Sequence, residues 1–464
     1  MAVTHEERAA SLQRRAQQHL LLHFTRNGEL GADGSELLVL ERGEGPYVFD
    51  VEGNRYFDGL SSLFCCQIGY SYGEEMAAAT AGQMTRLAFN TNWATAHPPA
   101  IELAERLAEL APGDLNKAFF TSGGSESVET AWKLARQYHI ARGEPQRLKA
   151  IARDRAYHGV TLGALSFTGV DRFKTPFGRP AIDVRHVAWT NQFRSLEGLE
   201  GAELTAALLA DVEQAIAEEG PETIAVIIAE PVQNAGGCLT PPPGYWAGLR
   251  EIADRHGILL IADEVICAFG RLGEYFGSER NGVEPDMITV AKGLTSAYAP
   301  MGAVLVSDRV AEPLYERGAT LLHGITFGGH PVAAAAALKN LEIFERDGVL
   351  DNVRALEPWL AQELSSRLGS LPIVADVRGA GFFWAFELVE GDPERQFDAE
   401  QRERLLRGFL PRRLRQAGVI ARADDRGDPV LQIAPPLISD RRQLDEMIDS
   451  LTAVLGDAGA HMGL

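Results

Sequence analysis

Short apolar runs that stop at or just past a charged residue recur through the middle of the chain: Leu148–Arg153, Thr223–Glu230, Ile258–Val265 and Asp286–Lys292. Such runs, lacking polar alternation, have the pattern of strands buried on both faces. Amphipathic stretches with helical spacing separate them, so the region from about 100 to 330 is predicted to form a parallel sheet with helical crossovers.

The flanks read differently. Residues 1 to about 40 have the pattern of a polar amphipathic helix followed by a Gly/Asp-rich loop, Asn27–Ser35. Tyr47–Tyr56 alternates around Glu52-Gly53-Asn54, a hairpin signal. Beyond about 335, Ala337–Arg346 and Leu350–Leu368 are predicted helices, and Ile373–Val377 and Phe382–Val389 predicted strands. The expected fold class is α/β: a large domain with a mostly parallel, doubly wound sheet, plus a smaller α+β domain built from both termini. The expected boundaries are 1–60 for the N-terminal part of the smaller domain, 61–334 for the large one and 335–464 for the rest, in keeping with a chain of 464 residues.

Candidate chemistry gathers at the strand ends. Lys292 closes an apolar run just before Gly293, where desolvation lowers an amine's pKa and a neutral amine can condense with an aldehyde. The alternative is a lysine that snorkels to solvent. Asp263 would reach the same sheet edge, and open α/β sheets bind ligands outside the carboxyl ends of their strands. A carboxylate for a pyridinium nitrogen and a lysine for an aldehyde equip a pyridoxal-phosphate site. A phosphate cradle is predicted at Lys117–Ser127, where a strand ends in Thr121, a turn of small residues spans Ser122–Ser125, and a helix starts at Glu126. A well-capped helix with Ser125 as N-cap is the other reading of that motif. Tyr157 follows another strand and is a candidate to lay its ring on a flat ligand, with His158 beside it. Glu230 ends a further strand, before Pro231.

A formal net charge of -20 argues against partners built on phosphate, nucleic acid or anionic membrane alike. The four cysteines, Cys65, Cys66, Cys238 and Cys267, show neither a CxxC pair nor zinc spacing, so no metal is expected and a reducing cytoplasm is the simplest home. The charged opening Met1–Arg8 does not have the pattern of a secretory signal, and no apolar run approaches the roughly 20 residues of a membrane span.

Seven stretches, in order, carry a resemblance: Thr121–Ser127, Tyr157–Gly159, Ile228–Val232, Asp263–Arg271, Ala291–Gly293, Thr326–Pro331 and Ala434–Leu437. Together they resemble the class III aminotransferases, fold-type I pyridoxal-phosphate enzymes, and within them the amine:pyruvate (omega) transaminases. The resemblance implies pyridoxal 5'-phosphate as cofactor, Lys292 as Schiff-base lysine and proton carrier, and Asp263 on the pyridine nitrogen. It places Val265 and Tyr157 on opposite faces of the ring, and Gly124 and Ser125 on the phosphate. Thr326 would reach the phosphate from the partner subunit of a homodimer whose active site is shared. Ser122, His158 and Glu230 complete the expected cofactor site, the last two as orienting or structural groups. An amine donor and a keto acid acceptor would react in two half-reactions.

Substrate class turns on departures within the family. Relatives that use 2-oxoglutarate typically carry an arginine two residues before Ala-Pro-Pro, and some add a glutamate in a Gln-x-Glu loop; here those places hold Gln432 and Ala235. Losing both removes a fixed carboxylate clamp. Arg422 instead matches the mobile arginine of amine:pyruvate enzymes, in the Gly/Asp-rich segment Arg422–Pro429. On residues alone, Arg422 paired permanently with Asp424 or Asp425 is the competing reading. Phe24, Phe64, Trp93 and Tyr157 are candidates for an apolar wall, while Phe64 and Ala268 depart from the usual tryptophan and glycine. Another reaction on the same scaffold, an aminomutase or a decarboxylating transaminase, shares these cofactor motifs. A nicotinamide-binding protein would need a GxGxxG opening a helix, and none is present.

Overall fold

The computed structural model describes residues 5–30, 37–316 and 318–464. Part of the expected N-terminal loop, residues 31–35, and the opening residues 1–4 lie outside the described residues.

Seven strands form the central sheet, in the order Lys117–Thr121, Gly302–Val306, Met287–Val290, Leu259–Asp263, Ile224–Ala229, Lys149–Arg153 and Asp183–Val187. All are parallel except Gly302–Val306, which runs antiparallel to both neighbours. Every residue of Ile224–Ala229, Leu259–Asp263 and Met287–Val290 is buried. Their side chains alternate between two cores, as the two-residue period of a strand requires. Ile227, Ala229, Leu260 and Ala262 join one core with the helices Gly201–Glu219 and Tyr245–His256. Val226, Ile228, Leu259 and Ile261 face the other, under the helix Gly124–Ala141. Continuous apolar runs are therefore needed, because neither face of the sheet meets water.

The ends of the chain meet in a second sheet. Leu40–Glu44, Tyr47–Asp50 and Arg55–Asp58 form a meander whose last strand pairs in parallel with Val419–Ile420. The Tyr47 hydroxyl donates to Glu446 at 2.8 Å, fixing the meander to the C-terminal helix Arg441–Met462. A third, antiparallel sheet has the order Val374–Ala380, Phe383–Leu388, Val430–Ile433 and Arg422–Asp424.

Two local readings change. The helix expected from Glu126 begins at Gly124, with Gly123 rather than Ser125 at the N-cap, so Ser125 lies within the first turn. The segment Arg422–Pro429 is not wholly a loop: Arg422–Asp424 is a strand paired with Val430–Ile433, because the exposed edge of that strand supplies the backbone partners.

Candidate active site

A cavity of about 420 Å³ opens at the carboxyl ends of the parallel strands. Lys292, Asp263, Val265, Glu230, Tyr157, His158, Ser122, Gly124 and Ser125 all line it. Strands of one direction in one sheet deliver these residues from distant parts of the chain to a single edge.

Asp263 is 4% exposed and held from three sides. His158 Nδ1 is 2.7 Å from Oδ2, while Thr289 Oγ1 donates to Oδ1 at 3.0 Å and the Val265 N–H at 3.2 Å. A carboxylate only accepts, so the proton between the pair belongs on His158 Nδ1. Glu230, also buried, accepts from the backbone N–H of Tyr157 at 3.2 Å and of Asn234 at 3.0 Å, and burial raises its pKa. It therefore ties the strand end that bears Tyr157 to the next loop.

Lys292 has a φ of 39°, left-handed backbone that a lysine rarely adopts. Desolvation lowers its pKa, with Cys65, Asp263 and Glu230 acting the other way. The following residue is closely packed: a Cβ on Gly293 would stand 2.5 Å from Gln67 Nε2 and 3.0 Å from Phe269 Cβ, so Gln67 would have to shift. The amine is thus presented on a tightly packed turn.

The cradle is built by close approach. A Cβ on Gly124 would meet Val265 Cγ1 at 2.9 Å, and one on Gly159, whose φ is 117°, would collide with Ser125 Oγ. Ser125 Oγ accepts from the Val160 N–H at 3.2 Å, joining the helix start to the Tyr157–Gly159 turn. The first N–H groups of the helix Gly124–Ala141 have no acceptor within the helix, and its dipole favours an anion there. Anion cradle, buried acid and desolvated amine share one cavity, and this donor set fits a phosphorylated pyridine aldehyde.

The substrate-side candidates are dispersed. Phe64 is 1% exposed and packs on Phe383 at 5.5 Å between ring centroids, beneath the Arg422 guanidinium at 6.0 Å. Phe24, 69% exposed, meets Phe173 in a tilted contact at 5.2 Å between ring centroids, and Phe173 in turn contacts Tyr157 edge-on. Trp93 is 61% exposed and lines a separate cleft with Gly324; Thr326 is exposed nearby and does not line the Lys292 cavity. Ala235 is fully buried beside Asn234, whose carbonyl accepts from Gln432 Nε2 at 2.8 Å. Arg422 stands opposite Gln432 across the two strands.

Residues that sequence reasoning did not single out also contribute. Cys65 and Met301 line the cavity, and Arg426 lies 5.5 Å over the Tyr157 ring. Phe173 sits in the four-residue helix Asp171–Lys174, too short to give a periodic signal. Arg426 lies two positions from Asp424, as Arg422 does, so the sequence carries no signal for its pairing.

A mostly parallel sheet carrying an acid, an amine and an anion cradle at one edge defines a fold-type I pyridoxal-phosphate transferase. The family model for aminotransferase class-III matches residues 31–455. The chain belongs to the class III aminotransferases, which use pyridoxal 5'-phosphate, and it is an enzyme with transaminase activity. It is 48% identical to a probable aminotransferase of Mycobacterium tuberculosis over 98% of this chain and 96% of the relative. It is 38% identical to a putrescine–pyruvate aminotransferase of Pseudomonas aeruginosa, over 93% of each. An (S)-enantioselective omega-transaminase from Thermomicrobium roseum superposes with a TM-score of 0.92 at 43% identity, covering 97% of this chain and 99% of the other. Among the described residues, no helix is long and apolar enough to cross a membrane.

Proposed function

We propose that this enzyme moves the amino group of a primary amine or omega-amino acid to a keto acid, pyruvate foremost, using Lys292 as the covalent lysine and proton carrier. The observation that carries the acceptor assignment is the pattern of charge on the edge strand Arg422–Asp424 and its neighbour Val430–Ile433. Gln432 and Ala235, both buried, put neither a cation nor a masking acid at the usual clamp, while Arg422 makes only a long ion pair among the described residues, 3.9 Å to Asp424. A long side chain on a fixed strand can turn in to grip a carboxylate and turn out when an apolar amine arrives. The likeness to a putrescine–pyruvate aminotransferase and an omega-transaminase supports the same reading.

When bound, pyridoxal phosphate supplies an aldehyde for amines and a ring that draws electrons from the substrate carbon. Asp263 would keep the pyridine nitrogen protonated, and His158 orients that carboxylate through its 2.7 Å contact. Val265 and Tyr157 would hold the ring, and Ser122, Gly124 and Ser125 would take the phosphate; all five line the cavity. Lys292 would hold the cofactor's aldehyde carbon, and because desolvation lowers its pKa, its free amine would be suited to accept and return a proton. Neither Phe24 nor Phe64 lines the cavity; Phe64 would act on the substrate side only by supporting Arg422 from beneath, and Phe24 only through Phe173 and Tyr157.

The enzyme would work as a homodimer in a reducing cytoplasm, where four free cysteines are unexceptional. The partner subunit's Thr326 completes the phosphate site, and Trp93 lies on the same exposed surface. A chain carrying Lys292→Ala mixed with one carrying Thr326→Ala tests this. Random pairing gives about a quarter of wild-type activity if sites are shared, since half the dimers then hold one intact site; no recovery despite proven mixing overturns it.

Stopped-flow measurement of the two half-reactions tests the acceptor. Arg422→Ala raises the apparent KM for pyruvate and leaves the half-reaction of a carboxylate-free amine near wild type. Equal loss in both overturns the assignment.

A further inference from the structure

Arg422 and Asp424 are two positions apart on one strand, so their side chains share a face and would be expected to pair. They do not pair closely. Arg422 Nε stands 3.9 Å from Asp424 Oδ2. Arg426 occupies the carboxylate instead: its Nε is 2.9 Å from Oδ1 and 2.7 Å from Oδ2, its Nη2 also bonds Oδ2, and its backbone N–H donates to Oδ1 at 3.0 Å. Both side chains of that pair are 3% exposed, against 29% for Arg422. The neighbouring Asp425 is taken as well, by Arg172 and by Arg407 at 3.2 Å. Two arginines thus share one close carboxylate, and the uncompensated charge falls on the more exposed of them. Burial and the Arg426 charge together push the Arg422 guanidinium down to about 10, as expected for a cation without a full counter-charge.

We propose that Arg426 is a positioning residue for keto acid binding: by gripping Asp424 it prevents that carboxylate from neutralising Arg422, which stays available to the carboxylate of the substrate. The inference rests on the role given to Arg422 above and adds how that role is kept open. A free Asp424 would compete with pyruvate as an intramolecular carboxylate at high local concentration. Arg426 removes the competitor while contributing no base to the chemistry.

Arg426→Gln frees Asp424 to close on Arg422. The apparent KM for pyruvate in the keto acid half-reaction then rises about tenfold, the size of one charge-assisted contact. The half-reaction of a carboxylate-free amine stays near wild type, and equilibrium binding of propionate, an unreactive short carboxylate, weakens by a similar factor. Adding Asp424→Asn removes the competitor and restores both pyruvate KM and propionate affinity. Arg426→Lys keeps the charge without the two-pronged grip; it moves both readings in the same direction by a smaller factor and carries the test if the glutamine variant does not fold. Equal loss in the two half-reactions overturns the inference, because Arg426 would then act only through the Tyr157 ring beneath it. So does a double variant no better than the single one, or a lysine variant that binds propionate as wild type does. Arg422→Ala, run in parallel, separates the two readings. If it spares the pyruvate half-reaction, the acceptor assignment itself falls; if it weakens pyruvate while Arg426→Gln does not, only this inference does.

Discussion

At the floor of the cavity Asp263 is held by His158, Thr289 and the Val265 backbone, whereas at the rim, on the edge strand Arg422–Asp424 outside the cavity lining, Arg422 has only a 3.9 Å approach to a carboxylate that Arg426 already grips. The floor is a fixed electrostatic environment, built on strand ends and on glycines whose replacement would create collisions. The rim sits on a short edge strand, with one charge left unbalanced. The two regions meet different demands. A cofactor presents the same ring and phosphate in every turnover and gains from donors that need no rearrangement. Two substrates that differ in charge at one end cannot both be met by a buried, permanently paired cation.

The largest break expected in the floor is Lys292→Ala, which removes covalent lysine and proton carrier together and lowers turnover on the order of ten-thousand-fold. Borohydride reduction of the wild-type enzyme followed by peptide mapping locates the attachment; label on another lysine overturns it. Asp263→Asn comes next. It keeps the fold and slows the proton-transfer step by about 100-fold, the cost of one lost preorganised contact. Single-turnover rates close to wild type would show that Asp263 is structural.

Gly159→Ala sharpens the contrast by disturbing the floor without touching a titratable group. Its φ of 117° and the approach of Ser125 Oγ leave no room for a methyl group, so cofactor affinity falls by about tenfold or more. Equilibrium dialysis against pyridoxal phosphate measures it, and unchanged affinity would mean that the turn relaxes at no cost.

The smallest effect is at the rim and appears as acid sensitivity. Burial acts to raise the Asp424 pKa, but Arg426 and Arg422 outweigh it and bring the group from 3.8 to about 2. A folded-state pKa below the unfolded one gives stability that is present above the unfolded value and lost as pH falls through the folded one. The contribution is about 2 kcal/mol, lost between pH 4 and 2. Urea titrations from pH 6 down to pH 3 should show a steeper acid decline for the wild type than for Asp424→Asn, and parallel curves would exclude the linkage.

Much of the sheet is legible in the order of residues alone, because a parallel strand covered on both faces leaves an unbroken apolar run. Ile224–Ala229 and Leu259–Asp263 are such runs. Gly302–Val306 has the same apolar character, yet composition carries no record of direction, and its antiparallel placement depends on both neighbours. The helix start is less legible: the pattern points to Glu126 and the helix begins at Gly124, since serine is a plausible cap wherever it precedes a helix.

The residues themselves determined which polar groups follow which strands, and so brought Asp263, Glu230, Tyr157 and Lys292 forward as one set: burial periodicity is local and is written in consecutive side chains. The tertiary structure decided which carboxylate each arginine holds. Asp424 has Arg422 on one side and Arg426 on the other at equal separation in sequence, so spacing cannot choose between them. The turn between Arg422–Asp424 and Val430–Ile433 folds Arg426 into a buried fork on Asp424 and leaves Arg422 on the more exposed side. Ion pairing depends on distance and burial in space, and neither is a property of the chain order.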